Sequence, residues 1–275
     1  MVGLRRTRTS KHVKALFLSA TLISFASLPV AANAWGPLGH RVIARIAKQH
    51  LSQKAKSRLN FYFGKNVALE ELVTWADEIQ KQRPETTPWH YLHIAPSATS
   101  LDMERDCPEG NCITAKTRSF VGIARLAMQK KNDLLEPIKF IVHLGGDLHQ
   151  PLHFGHPQDQ SGWDIPVELN GRSISLGEAW NSAILKLNGE TEEELSERLI
   201  RRVTPEFERK WSKGTLRDWS WEAHLIAIRV AYGLLPTGSP KVLDEMYLEH
   251  ARDVIEEQLA KGGVRLAELL NRTWP

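Results

Sequence analysis

The stretch FIVHLGGDLHQPLH, residues 140–153, gathers groups that do chemistry. On a helix His143 and Asp147 stand about one turn apart and project from one face, so both can reach a single cation. His149 and His153 share that spacing, but Pro151 between them lacks an amide hydrogen and tends to end or bend a helix, so they need not share a face. Gly145 and Gly146 each weaken a helix by roughly 1 kcal/mol relative to alanine, a cost accepted where another backbone or a site must come close. Taken alone, an H-x3-D pair favours the plainer reading of a buried histidine partnered by an acid. Two further segments change that balance. TWADEIQ carries Asp77 beside Trp75 on an otherwise apolar helix face, where an unpaired carboxylate is costly and a cation would satisfy it. PWHYLHIAP sets His90 and His93 in an aromatic stretch bounded by proline. Zinc takes imidazole nitrogen and carboxylate oxygen readily, and Asp77, His90, His143 and Asp147 make a plausible four-ligand set.

The elements that must position these groups read as helices almost everywhere. GHRVIARIAKQHL, SQKAKSRLNFYF, LEELVTWADEIQ, TAKTRSFVGIARLAMQ, EPIKFIVHLGGDLHQ, WSWEAHLIAIRVAYGLL and the long C-terminal segment from Val242 repeat apolar residues at three- and four-residue steps. Pro84, Pro96, Pro137, Pro151, Pro236 and Gly262-Gly263 mark expected breaks. DIPVELNGRSISL, residues 164–176, alternates around Asn170-Gly171 and reads as a hairpin or extended loop. No fixed-period repeat, low-complexity tract or long linker divides the chain, so the expectation is one all-α domain over residues 35–275. ETEEELSERLIRR reads as a solvated helix face, and His50, His224 and His250 as surface or satisfied core residues. The remaining tryptophans, Trp163, Trp180, Trp211, Trp219 and Trp221, read mostly as core anchors.

Residues 1–34 read as a signal peptide. Arg5, Arg6, Arg8, Lys11 and Lys14 precede the apolar run ALFLSATLISFASLPVAA, and small residues close it at Ala32 and Ala34. A membrane anchor is the alternative, since the run is near the lower length for a span, but Ser, Thr and Pro interrupt it. Lys and Arg number 36 against 32 Asp and Glu, a formal +4. Removing the leader would leave 31 basic residues against 32 acidic, a net −1, so no global basic field remains as an argument for nucleic acid. Export would place the chain in the periplasm or the medium. There the Cys107-x4-Cys112 loop, with its Pro-Glu-Gly-Asn interior, reads as a structural disulfide. Half of a zinc site is the other reading, but no second cysteine pair completes it.

In order along the chain, WGPLGH at 35–40, WAD at 75–77, WHYLH at 89–93, the Cys-x4-Cys loop, HLGGDLHQPLH, SLGEAWNSAI and WSWEAH resemble the zinc-dependent single-strand nucleases of fungi and plants, relatives of bacterial zinc phospholipase C. The similarity covers most of residues 35–275. It implies an all-α domain with three zinc ions at the bottom of a cleft, acting on single-stranded DNA or RNA with no protein partner and no stable membrane association. It also implies that the α-amino nitrogen and carbonyl oxygen of Trp35, freed by leader removal, ligate zinc together with His40. Asp77, His90, His143 and Asp147 would hold a second zinc, with Asp147 bridging the two. Asp147 and Asp77 would then serve water activation, and a metal-polarised water would attack phosphorus without a covalent protein nucleophile. His153 matches a ligand of a third zinc, whereas His149 matches a position that is not a ligand.

The chain departs from that pattern at the third metal and at the substrate. The two further third-zinc ligands are replaced by Gly177 and Asn181, a residue with no donor and a weak amide; His156, Asp159, Asp164 or Glu178 are the nearby substitutes to consider. An arginine expected to stabilise phosphate charge is Gln80, with Lys81 beside it in sequence, and an aspartate associated with nucleobase contact is His93. Two zinc ions are therefore expected, with part of the third site missing. The leading reading is a nuclease giving 5′-nucleotides. A zinc phosphoesterase for another ester, such as a phospholipid head group, and a catalytically decayed metal-binding scaffold are the alternatives.

Overall fold

The computed structural model describes Gly3 and residues 35–65, 67–126 and 131–275, so the leader reading, Gly3 apart, lies outside the described residues. The described residues are mainly helical, as the periodicities predict. From the N-terminal side the helices are α1 (Pro37–His50), α2 (Gln53–Phe63), α3 (Leu69–Leu72), α4 (Trp75–Ile79), α5 (Met103–Asp106) and α6 (Ile113–Arg125). They continue with α7 (Lys131–Asp147), α8 (Leu176–Glu178), α9 (Glu192–Arg202), α10 (Pro205–Trp211), α11 (Leu216–Ile226) and α12 (Glu245–Thr273). Short 3₁₀ turns at Pro84–His90 and Pro151–Phe154 carry histidines of interest. No helix among the described residues is long and apolar enough to cross a membrane.

The starts of these helices follow from local chemistry. Pro37 opens α1, where a missing amide hydrogen costs nothing. Ser52, Thr191, Thr204, Thr215 and Asp244 each accept an amide hydrogen of the first turn with their side chains, and Thr191 and Thr215 form reciprocal capping boxes with Glu194 and Asp218. The hairpin at 164–176 is present as β1 (Pro166–Leu169) and antiparallel β2 (Arg172–Ser175), turning through Asn170 and Gly171, both at positive φ. A two-residue strand, β3 (Lys241–Val242), adds to β1 in parallel, which two residues of sequence could not announce.

Two expected breaks are not breaks. Pro137 lies inside α7, which runs through it. Gly262 and Gly263 lie inside α12, where they form the crossing with α1: a Cβ on Gly263 would overlap Cβ and Cγ2 of Ile46, and one on Gly262 would stand 3.2 Å from Ile43. The glycines therefore mark close helix packing. Gly263→Ala is expected to push α1 and α12 apart and to destabilise the protein by about 1–3 kcal/mol, the usual range for overpacking, read as a lower melting temperature; an unchanged melt would contradict this crossing. The charge run of α9 also does more than face solvent. Arg198 and Arg202 pair with Glu256 on α12 at 2.7 Å, and Glu192 accepts from Arg41 and Arg45 of α1. Cys107 and Cys112 are disulfide-bonded and buried. His224 hydrogen-bonds the Phe154 carbonyl, His250 the Met246 carbonyl, and His50 pairs with Glu208, in keeping with their plain reading.

Candidate metal centre

The core of the candidate site is α7, which turns His143 and Asp147 from one face into the fully buried centre of the molecule. The paired glycines between them have their reason in packing. A Cβ on Gly146 would lie 3.0 Å from the His40 ring and one on Gly145 2.8 Å from the Leu266 side chain, so the glycines let α1 and α12 side chains pack closely on α7. His40 arrives from α1, with Nε2 3.2 Å from Asp147 Oδ1 and its ring stacked on His143 at 4.2 Å between centroids. The other carboxylate oxygen, Asp147 Oδ2, faces His90 Nδ1 at 2.9 Å and His143 Nε2 at 3.0 Å. One carboxylate thus has an oxygen on each of two sides.

Asp77, one-tenth exposed on α4, completes the second side, with Oδ1 3.5 Å from His143 Nε2 and 3.9 Å from His90 Nδ1; the two ring nitrogens are 3.1 Å apart. A tetrahedral zinc with bonds of about 2.0–2.1 Å would set its ligand atoms about 3.3 Å apart. The observed separations, 2.9 to 3.9 Å, straddle that value. His40 Nδ1 is buried without a hydrogen-bond partner, and His40 Nε2 and Asp147 Oδ1 have only each other, at 3.2 Å and poorly aligned, a deficit that a cation in their midst would remove. The His143 ring is oriented from behind: its Nδ1–H donates to the Val73 carbonyl, which makes Nε2 the nitrogen that would meet a cation at the centre. The donors present fit a divalent cation here.

The charge arrangement of the cluster agrees with this. Burial alone would lower the His143 pKa, but the Asp147 and Asp77 charges and hydrogen bonds to Asp147 and Val73 raise it to about 9. Burial opposes ionisation of Asp147, yet His143 and the hydrogen bonds from His143, His40 and His90 hold its carboxyl well below the usual range. Burial, then His143, lowers His40. Raised from 6.5 to about 9, His143 adds stability to the metal-free fold that is complete below pH 6.5 and is lost as pH rises through 9. A cation taken at Nε2 would compete with that proton. A rise in melting temperature on adding zinc is therefore expected to grow between pH 6.5 and 9, with proton release measurable by calorimetry in buffers of different ionisation enthalpy; a pH-independent rise would contradict it.

Trp35 is fully buried just ahead of α1; its amide neighbour Gly36 donates to the Asn181 carbonyl at 2.9 Å, and the Gly36 carbonyl accepts from His40. Trp35 thus stands just before the first turn of α1 and His40 within it, while the residue before Trp35 lies outside the described part.

The third-metal residues are not assembled in the same way. His153 is buried on the Pro151–Phe154 turn with both ring nitrogens unpartnered, 4.6 Å from the Tyr91 ring, and burial lowers it to about 3. At Gly177 the Trp163 indole fills the space in front of the backbone, 3.1 Å from where a Cβ would stand. Asn181 is engaged by the Gln150 amide, which donates to its side-chain oxygen. Nor do the possible substitutes converge on His153: Asp159 accepts from Tyr232 and the Gly162 amide and faces His156 at 3.6 Å, and Asp164 accepts from Gln160. Among the described residues, neither group of three ligating side chains includes His153. Gln80 is buried against Asp77 and His90, Lys81 is exposed, and His93 lies with Nε2 3.1 Å from Ser161 Oγ. Sequence reasoning missed Gln150, Ser161 and the Val73 carbonyl, none of which carries a recognisable signal. His149 donates to the Gly145 carbonyl and stays outside the cluster.

A mainly helical domain with a buried histidine–aspartate cluster able to hold metal is the class that fold and site define. Residues 35–274 match the family model of the S1/P1 nucleases, and the chain belongs to that family. Similar proteins include endonuclease 2 of Arabidopsis thaliana, 28% identical over 94% of this chain and 98% of its own length. Nuclease S1 of Aspergillus oryzae is 25% identical over 92% and 96%, and nuclease P1 of Penicillium citrinum 25% identical over 86% and 97%.

Proposed function

We propose that the chain is an exported, zinc-dependent phosphodiesterase that hydrolyses single-stranded DNA and RNA to 5′-nucleotides. The observation that carries the reading is Asp147, whose two oxygens face His40 on one side and His90 and His143 on the other. Asp77, His90, His143 and Asp147 would hold one zinc; Trp35 (α-amino nitrogen and carbonyl oxygen), His40 and Asp147 would hold another. Zinc bound there supplies Lewis acidity, bringing the pKa of a water to about 7 and offsetting charge on a phosphodiester. The chain's own part is to bury and orient the donors: Val73 fixes His143, the glycines of α7 admit His40, and Asp147 stays ionised between the two groups of histidines. Membership of the nuclease family supports the nucleic-acid substrate. The apolar leader and the Cys107–Cys112 disulfide support an oxidising destination, periplasm or medium.

The substrate-side departures at Gln80, His93, Gly177 and Asn181 give the other ester chemistry a specific footing, and one experiment separates the readings. Processed protein is assayed side by side on single-stranded DNA, duplex DNA, RNA and phosphatidylcholine, with zinc content measured before and after chelation. Single-strand cleavage that disappears with the metal and returns with zinc is expected. Turnover of phosphatidylcholine alone would move the function to the phospholipid ester, and two bound zinc ions without any turnover would leave a scaffold.

A further inference from the structure

One side chain ties two of the candidate ligands together from outside the cluster. Gln80 lies one helical turn beyond Asp77 and is 6% exposed; its Nε2 is 3.2 Å from Asp77 Oδ1 and 3.1 Å from His90 Nε2. His90 presents Nδ1 to the centre, 2.9 Å from Asp147 Oδ2 and 3.1 Å from His143 Nε2, so the nitrogen that meets Gln80 is the outward one. A neutral imidazole carries a single hydrogen. With the Nδ1 lone pair given to a cation, the His90 hydrogen sits on Nε2, a donor aimed at Gln80. Val73 does the same for His143, accepting from its Nδ1–H.

Among uncharged side chains, an amide is the one that can donate to a carboxylate with its NH2 and accept an imidazole N–H with its oxygen. We infer that Gln80 is a positioning residue of the centre: its amide, buried between Asp77 and the outward nitrogen of His90, offers His90 Nε2–H an oxygen acceptor and so holds Nδ1 toward the ion. This rests on the reading that the cluster holds zinc. It assigns Gln80 a place in building the ligand set, at a position where the resemblance led one to expect a phosphate contact.

The test uses zinc alone as the probe, with affinity read by chelator competition on processed protein and folding checked by the metal-free melting temperature. Gln80→Met keeps length and approximate volume but removes the amide, and its zinc affinity is expected to fall by about 10–100-fold, the usual range for losing an outer-sphere partner. Gln80→Glu keeps an acceptor for His90 and is expected to stay within about threefold of wild type or bind more tightly. In zinc-loaded wild type, ¹⁵N NMR should place the His90 hydrogen on Nε2, and this measurement does not depend on any variant folding. Zinc bound equally by wild type and Q80M, a Q80E variant as weak as Q80M, or a His90 hydrogen on Nδ1 in the loaded protein would each overturn the assignment alone. Wild-type protein that takes up no zinc would overturn the parent reading with it.

Discussion

Replacing Asp147 by asparagine is expected to empty both metal positions at once and to lower kcat/KM on single-stranded DNA by about 1,000-fold or more, as removal of a metal-held transition-state stabiliser does. The reason is geometric. Asp147 Oδ1 faces His40 at 3.2 Å and Oδ2 faces His90 and His143 at 2.9 and 3.0 Å, so one carboxylate serves two groups of donors. Asparagine has the same shape but offers one neutral oxygen, and its NH2 would confront histidine on the other side. His40→Ala and His90→Ala provide the contrast, since each should cost one ion and leave the other. Metal analysis of the three variants checks this directly: an Asp147→Asn protein that keeps its full zinc complement would remove the bridging role, whatever its activity. Far-ultraviolet circular dichroism separates loss of metal from loss of fold.

A single glycine added ahead of Trp35 in the processed protein should weaken zinc at the His40 side by more than about 100-fold, since losing outer-sphere partners alone costs 10–100-fold. The α-amino group has a pKa of about 7.7–8.0 and can give its lone pair to a metal near neutral pH, whereas an amide nitrogen cannot. Burial of the Trp35 indole and the Gly36–Asn181 hydrogen bond fix the backbone at this point, so the first nitrogen has little freedom to find another ligand set. Trp35→Phe, which keeps the amine and most of the buried ring, should retain the ion. Zinc stoichiometry and affinity in the extended protein, the Trp35→Phe variant and the unmodified protein decide the matter; equal binding by the extended form would rule out terminal-amine chelation while leaving the Asp77–His90–His143–Asp147 side untouched.

The sequence by itself determined the helical class, the hairpin around Asn170-Gly171 and the identity of the candidate donors, because these depend on local periodicity, turn chemistry and residue type. Motif order carried the site residues that spacing could not: nothing in a count of residues joins Asp77 to His143. Only the tertiary structure decided how the donors meet. It showed Gly145-Gly146 and Gly262-Gly263 to be places where helices touch, a matter of what lies opposite each missing Cβ. It put Trp163 in front of Gly177 and Gln150 on Asn181, the two positions where the chain departs from the pattern it resembles. It also turned Gln80 inward onto Asp77 and His90. Such contacts join residues far apart in the chain or on different faces of a turn, and their energies depend on distances that only packing sets.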